Sequence, residues 1–145
     1  MQSDNPLIQE RLRKLEAIKK MGVQPYPARF ERTHTSKTVA EVANKSLRTV
    51  EEVTKKPKND LCLAGRIMTL REHGALVFAQ LQDQEGCIQV CWMEGFTPKN
   101  QFEFVKLLDL GDFVGLTGDL FKTHKGELTL LISACKLLSK SLRPL

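Results

Sequence analysis

The side chains most able to do chemistry lie on alternating stretches in the second half of the chain. Val77, Ala79 and Leu81 alternate with Phe78, Gln80 and Gln82, and Ile88 and Val90 flank Gln89. Alternation sends successive side chains to opposite faces of a strand. If the aliphatic set faces a core, Phe78 and Gln89 face outward on neighbouring strands. An outward ring can stack on an unpaired nucleobase, worth about 1–3 kcal/mol per base. An outward amide offers donors and an acceptor to a base's Watson–Crick edge. The same ring could instead pack under an N-terminal helix, and alternation does not decide between the two. Arg66 falls on the outer face of the first alternating stretch, and Arg71 in the loop leading to the second. Either can hold phosphate or stack on a base, or end in solvent or a surface ion pair. Glu127 follows Gly126 at a hairpin tip. Near a polyanion a carboxylate is repelled unless it accepts hydrogen bonds from base N–H groups; otherwise it is a turn residue in water.

Other chemistries find less support. Cys62, Cys87, Cys91 and Cys135 include no CxxC pair, and His34, His73 and His124 are scattered, so zinc-type spacing is missing and no metal ligand is assigned. Reduced cytosolic thiols are the simple account of the cysteines. No nucleophile has a base at fixed spacing, and no phosphate-binding glycine loop follows a strand. The segment reads as a binder with no catalytic residue.

These side chains need elements to position them. Asn5 is a good N-cap and Pro6 suits the first turn of a helix. Ile8, Leu12, Leu15 and Ile18 share one face, and Gly22 is a stop. The other face carries Arg11, Arg13, Lys14, Lys19 and Lys20, either a solvated surface or a phosphate-facing arm. Pro25-Tyr26-Pro27 is extended. Ser36 can cap a short helix through Asn44, Thr49 and Glu52 form a capping box for another, and Lys55 to Asp60 reads as a linker. After Asp60 the period falls from about 3.6 to 2. Strands run over Leu61–Met68, Val77–Gln82 and Ile88–Trp92. A helical stretch from Pro98 puts Phe102, Val105 and Leu108 on one face, and strands over Val114–Leu120 and Leu128–Ile132 follow. Three strands, a helix and two strands is the order of an OB-fold, a five-stranded Greek-key barrel, here preceded by an amphipathic helix. The fold class is therefore mainly β with flanking helices: residues 1–60 an N-terminal helical extension and linker, 61–138 the barrel, and 139–145 the start of a hinge.

Composition agrees. The 145 residues suit one domain, and 41% hydrophobic residues can supply a core. No apolar run approaches the roughly 20 residues needed to cross a bilayer, so no membrane partner is expected, and Met1 to Glu10 has no apolar signal region. The net charge of +5 is uneven. Residues 1–37 hold 8 Lys/Arg against 4 Asp/Glu (net +4), and residues 61–110 hold 4 against 6 (net −2). A basic excess favours a polyanionic partner, although many small soluble domains carry one without it.

The string itself resembles a known family. Pro25-Tyr26-Pro27 with Phe30-Glu31-Arg32-Thr33-His34-Thr35 is similar to the entry segment of class II lysyl-tRNA synthetases. Ala64 to Met68, Phe78, Leu81-Gln82-Asp83, Gly86 and Ile88-Gln89 resemble that family's first three barrel strands. Asp109 to Asp112, Gly118, Leu120 to Thr123 and Gly126-Glu127-Leu128 resemble its last two. Leu137 to Lys140 with Leu142-Arg143-Pro144-Leu145 resembles its hinge. Aspartyl- and asparaginyl-tRNA synthetases share the fold, but the Phe-Glu-Arg-Thr-His-Thr string and the Arg-Pro-Leu hinge are closer to the lysine enzyme.

The resemblance implies an anticodon-binding domain for lysine tRNA. It implies that Phe78 stacks on the central anticodon base, Gln89 hydrogen-bonds that uridine, Glu127 contacts a flanking uridine, and Arg71 and Arg66 hold base or backbone. Two departures bear on this. Gly74-Ala75 stands where many relatives have Gly-Lys, and Leu70-Arg71 where some have two basic residues. The family's enzyme forms lysyl-adenylate from lysine and ATP with magnesium and then charges tRNA, in a catalytic domain downstream of the hinge. The expectation is a cytoplasmic enzyme, homodimeric at full length. The segment itself, which can be a monomer when isolated, is expected to have no ligase activity and no cofactor of its own. The competing readings are a stand-alone OB-fold protein for single-stranded nucleic acid and a protein-binding adaptor. The stop inside the hinge favours a fragment of the enzyme.

Overall fold

The computed structural model describes residues 5–20, 31–45 and 47–141, except the side chains of Lys19 and Lys45. Gly22, Pro25-Tyr26-Pro27, Phe30 and Leu142 to Leu145 lie outside the described residues. The order of elements is α1 (Pro6–Lys20), α2 (Ser36–Lys45), α3 (Val50–Lys55), β1 (Leu61–His73), β2 (Leu76–Gln82), β3 (Cys87–Met93), α4 (Lys99–Val105), β4 (Phe113–Lys122) and β5 (Leu128–Ser139).

The five strands close into a barrel in the order β1-β2-β3-β5-β4. Neighbours pair antiparallel except β3 and β5, which run parallel. This is the Greek-key OB-fold that the strand order implies. Alternation predicts the core correctly on most strands. Leu61, Leu63, Ile67, Val77, Ala79, Leu81, Ile88, Val90, Val114, Leu116, Leu130 and Ile132 are all buried in one cluster. Barrel closure forces close backbone approach at Gly118, where a Cβ would lie 2.0 Å from the Leu131 carbonyl oxygen, so only glycine fits.

Two strands depart from simple alternation. β1 has an irregularity between Ile67 and Thr69, a bulge that inserts Met68 and reverses which parity faces outward. β3 is buried on both faces from Ile88 to Trp92, because Cys91 belongs to a second cluster with Val53, Phe121 and Leu131 on the barrel's outside. α3 supplies Val53 to that cluster, with Val50 packed against it. α4 buries Phe104 completely along with Val105, Leu108 is buried just past its end, and Phe102 is only partly buried.

The N-terminal helices rest on the barrel. Asn5 caps α1, its Oδ1 accepting from the Leu7 amide at 2.9 Å, and Leu15, Ile18 and α2's Val39 join the main core. α2 is capped by Thr35 rather than Ser36. Thr35 Oγ1 accepts from the Thr38 amide at 3.2 Å, and Thr38 Oγ1 accepts from the Thr35 amide at 2.7 Å. Ser36 instead donates from its amide and hydroxyl to Asp83 in the β2–β3 hairpin, both at 2.7 Å. Burial alone would raise the Asp83 carboxyl, but these bonds and the amides of Glu85 and Gly86 outweigh it and lower its pKa. The Thr49 and Glu52 capping box forms as read. The charged linker is held down: Asp119, buried on β4, accepts from the Lys58 and Asn59 amides and pairs with Arg48 at 3.0 Å.

Candidate nucleic-acid interface

Registers across four strands lay out the outer face in two parallel rows. One row runs Thr69, Gln80, Gln89, Thr129 across β1, β2, β3 and β5. The other, two residues along, runs Arg71, Phe78, Cys91, Leu131. The Met68 bulge puts Arg71 on this face. Arg71 is thus a strand residue directly opposite Phe78, not a loop residue.

Phe78 is half-buried. Its inner edge packs on the outer cluster of Val53, Cys91, Phe121 and Leu131, so the ring rests on that cluster and not beneath α1. His73 meets it edge-on, with centroids 5.9 Å apart and planes at 70°. Gln89 is more enclosed than an outward strand residue need be, at 9% exposure. Its Nε2 donates to Thr129 Oγ1 at 2.9 Å.

Two hairpins rise beside these rows. Gly74, with φ of +59°, turns β1 into β2, and Gly126, with φ of +89°, turns β4 into β5. Both values favour glycine. The second turn is held by the Glu127 amide donating to Thr123 Oγ1 at 3.0 Å and the Thr123 amide donating to the Glu127 carbonyl at 2.9 Å. Between the hairpins lies a cavity of about 360 Å³ lined by Arg71, His73, Phe78, Gln89, Thr123, His124, Lys125 and Glu127. Four of the five residues assigned to base recognition therefore share one cavity. Arg66 does not. It is exposed opposite Gln82 and Phe113, five residues and roughly 16 Å along the strand from Arg71.

Residue spacing alone misses His73, Thr123, His124 and Lys125. The signal that could have found them is position, since the first and last hairpin loops of this fold flank its oligonucleotide face. They add cationic and hydrogen-bonding groups around an apolar platform.

The helix cations divide. Lys14 Nζ bonds Asp109 at 2.7 Å, and Arg11 bonds the Ser141 carbonyl at 3.0 Å while its Nε lies 3.9 Å from Asp109. Arg13 pairs with Glu10 in the open, Lys20 is exposed, and the Lys19 side chain is outside the described residues. Lys140, its side chain fully buried, completes this cluster with Asp109 at 2.7 Å and Asp112 at 2.6 Å. Burial pushes the Asp109 carboxyl up, but hydrogen bonds from Lys14 and Lys140, and their charges, bring its pKa below the ordinary value. Arg11 and Lys14 therefore clamp α1 to the α4–β4 turn and to the end of β5.

The cysteines are free thiols, and burial pushes Cys91 up to about 12, far from reactive thiolate. Among the described residues no group of three or more His, Cys, Asp or Glu side chains is placed to hold a metal ion, and no helix is long and apolar enough to cross a membrane.

Comparison with known proteins agrees with this geometry. The tRNA anticodon family model, described as an OB-fold nucleic acid binding domain, matches residues 61–138. The chain belongs to this family. As an anticodon-type OB-fold domain it is also similar, well beyond the barrel, to curated lysine–tRNA ligases. The Carboxydothermus hydrogenoformans protein is 41% identical over 141 residues, 97% of this chain and 27% of the relative. The Bacillus subtilis protein is 43% identical over 141 residues, again 97% of this chain and 28% of the relative. The Moorella thermoacetica protein is 34% identical over 145 residues, 100% of this chain and 28% of the relative. The chain thus spans about a quarter of the length of the curated relatives it matches.

Proposed function

We propose that this OB-fold domain reads the anticodon of lysine tRNA as part of a lysine–tRNA ligase. The observation that carries the reading is the cavity that gathers Arg71, Phe78, Gln89 and Glu127 between two hairpins. A base splayed from the loop stacks on the outer face of Phe78, whose inner side is already supported by the outer cluster. Stacking is tolerant of sequence, so identity falls to Gln89 at the Watson–Crick edge of a central uridine. Glu127 accepts from the N–H of a flanking uridine. Arg71 and Lys125 bring positive charge to phosphate or base, and Arg66 lies too far along β1 to share that base. Arg13, Lys19 and Lys20 add phosphate contacts from α1, whereas Arg11 and Lys14 are engaged with the barrel.

In the whole ligase this recognition selects the tRNA to be charged with lysine. ATP and magnesium supply the activation of lysine there. The side chains described in this domain do not form a metal site, and no step of that chemistry is assigned to them. A cytoplasmic, homodimeric ligase is the setting proposed. The alternative of a stand-alone single-stranded nucleic-acid binder is disfavoured because identity to the ligases extends across nearly the whole chain, including the α1–α3 region.

The test is binding of anticodon stem-loops that differ only in the central base. Uridine should bind tighter than cytidine, and Gln89→Ala should shrink the difference. Equal binding of the two by the wild-type domain would sink the reading.

A further inference from the structure

Gln89 has a neighbour that determines what it can recognise. Its Nε2 donates to Thr129 Oγ1 at 2.9 Å, and Thr129 Oγ1 in turn lies 3.3 Å from the Glu127 carbonyl oxygen. A carbonyl can only accept, and a hydroxyl has one proton. The Thr129 hydroxyl therefore spends its proton on Glu127 and presents a lone pair to Gln89. Only the NH₂ end of the amide can meet that lone pair. Gln89 Oε1 has no hydrogen-bond partner among the described residues, where Trp92 Nε1 is the buried side-chain polar atom that lacks one. Oε1 therefore keeps some solvent-accessible surface, and Gln89 lines the cavity, so the acceptor end is the one left to meet a base. Thr129 is itself fully buried and sits level with Gln89 across the parallel β3–β5 pair. The arrangement is built into the barrel and does not depend on a mobile surface side chain.

We propose that Thr129 is a positioning residue that fixes the polarity of the Gln89 amide and so sets the preference for a uracil edge over a cytosine edge. The inference rests on the reading of Gln89 as the residue that meets the central base. Uracil presents a donor at N3 and cytosine an acceptor at the same place. An acceptor held toward the base pairs with the first and opposes the second. With the amide free to flip, Gln89 could serve either base, because an amide reversed end for end offers the complementary pattern. The Thr129 hydroxyl opposes that flip, since reversal would set Oε1 against its lone pair.

The experiment measures affinities of uridine, 3-methyluridine and cytidine stem-loops for the full chain, for Thr129→Val and for Thr129→Ser, with Gln89→Ala as reference. Wild type should prefer uridine over both others, and Thr129→Ser should keep that preference. Thr129→Val should lose a factor of about 3 to 10 in uridine-over-cytidine discrimination, the range one neutral hydrogen bond spans, largely by gaining cytidine binding. Side-chain amide exchange at Gln89, followed by NMR, should quicken in Thr129→Val and stay slow in Thr129→Ser. If Gln89→Ala loses discrimination while folded Thr129→Val keeps it in full, the positioning role is wrong and the reading of Gln89 stands. An equal loss in Thr129→Ser and Thr129→Val would also overturn it. Should Thr129→Val not fold, unchanged Gln89 exchange and discrimination in Thr129→Ala would do so. A wild-type domain that does not distinguish uridine from cytidine would remove the parent reading and this one with it.

Discussion

Replacing Lys140 with methionine should cost far more than the loss of a surface charge. The Lys140 ammonium is fully buried, 2.6 Å from the equally buried Asp112 and 2.7 Å from Asp109. Exposed ion pairs contribute about 0–1 kcal/mol. Removing one partner of a buried pair instead strands the other charge, at about 3–5 kcal/mol. Part of that cost is offset here. Asp112 keeps the Ser141 amide at 2.9 Å and the Asp109 amide at 2.8 Å, and Asp109 keeps Lys14. The expected loss is therefore near the low end, about 3 kcal/mol. Neutralising the stranded carboxylate in the same background, as Lys140→Met with Asp112→Asn, should recover at least about 1 kcal/mol, a coupling typical of contacting residues. Urea unfolding followed by fluorescence is a direct assay, because Trp92 is the one tryptophan in the sequence and is fully buried. A Lys140→Met loss below about 1 kcal/mol, the surface-pair range, would refute the reasoning, as would a double variant less stable than the single one.

Phe78→Ala should weaken stem-loop binding by about 1–3 kcal/mol. Because the ring is half-buried, it should lower stability by about 2 kcal/mol, less than the 3–5 kcal/mol expected for the fully buried Phe104→Ala; paired titrations and urea curves would separate the two effects, and unchanged binding by the folded variant would remove Phe78 from the site. Arg71→Gln with Lys125→Gln should reduce the slope of log affinity against log salt by about one for each phosphate no longer neutralised. Arg11→Gln with Lys14→Gln should act mainly on stability, and a large fall in salt slope from that pair would show that α1 opens to meet the ligand. Asp109 is held below the ordinary carboxylate pKa, so the stability it confers is present above that value and lost as pH falls through about 4 toward the lower folded pKa. Asp109→Asn should flatten that acid limb of the melting-temperature profile, and an unchanged limb would exclude the Asp109 cluster as its cause.

Alternation made the barrel legible because its interior excludes polar side chains, and the same rule put Phe78 and Gln89 outside. It failed where local geometry overrode the two-residue period. Nothing around Met68 announces a bulge, yet the bulge moves Arg71 from an expected loop onto the strand face beside Phe78. The outer cluster was hidden for another reason. Cys91 and Leu131 look like surplus apolar residues until the fold brings α3 and Phe121 against them. The fate of Arg11 and Lys14 was also invisible, since Asp109 is 95 residues from Lys14 in sequence. His124 and Lys125 could have been found by asking which turns border the β2–β3 face, a question of topology and not of periodicity.

The cavity has no single stretch of chain to itself. Arg71 and Phe78 come from one hairpin, Gln89 from the next strand, and Glu127 from a turn that reaches β3 through the parallel β3–β5 pairing, in which Gln89 meets Thr129 40 residues away. Pairings of such long sequence separation form late and slowly, because the intervening chain must be ordered first. A newly made or partly unfolded chain can hold the β1–β2–β3 meander and still lack half of the recognition wall. On the proposed function, affinity for an anticodon loop would arrive only once β4 and β5 close the barrel, an incompletely folded copy would not sequester tRNA, and a bound loop would stabilise the closed barrel.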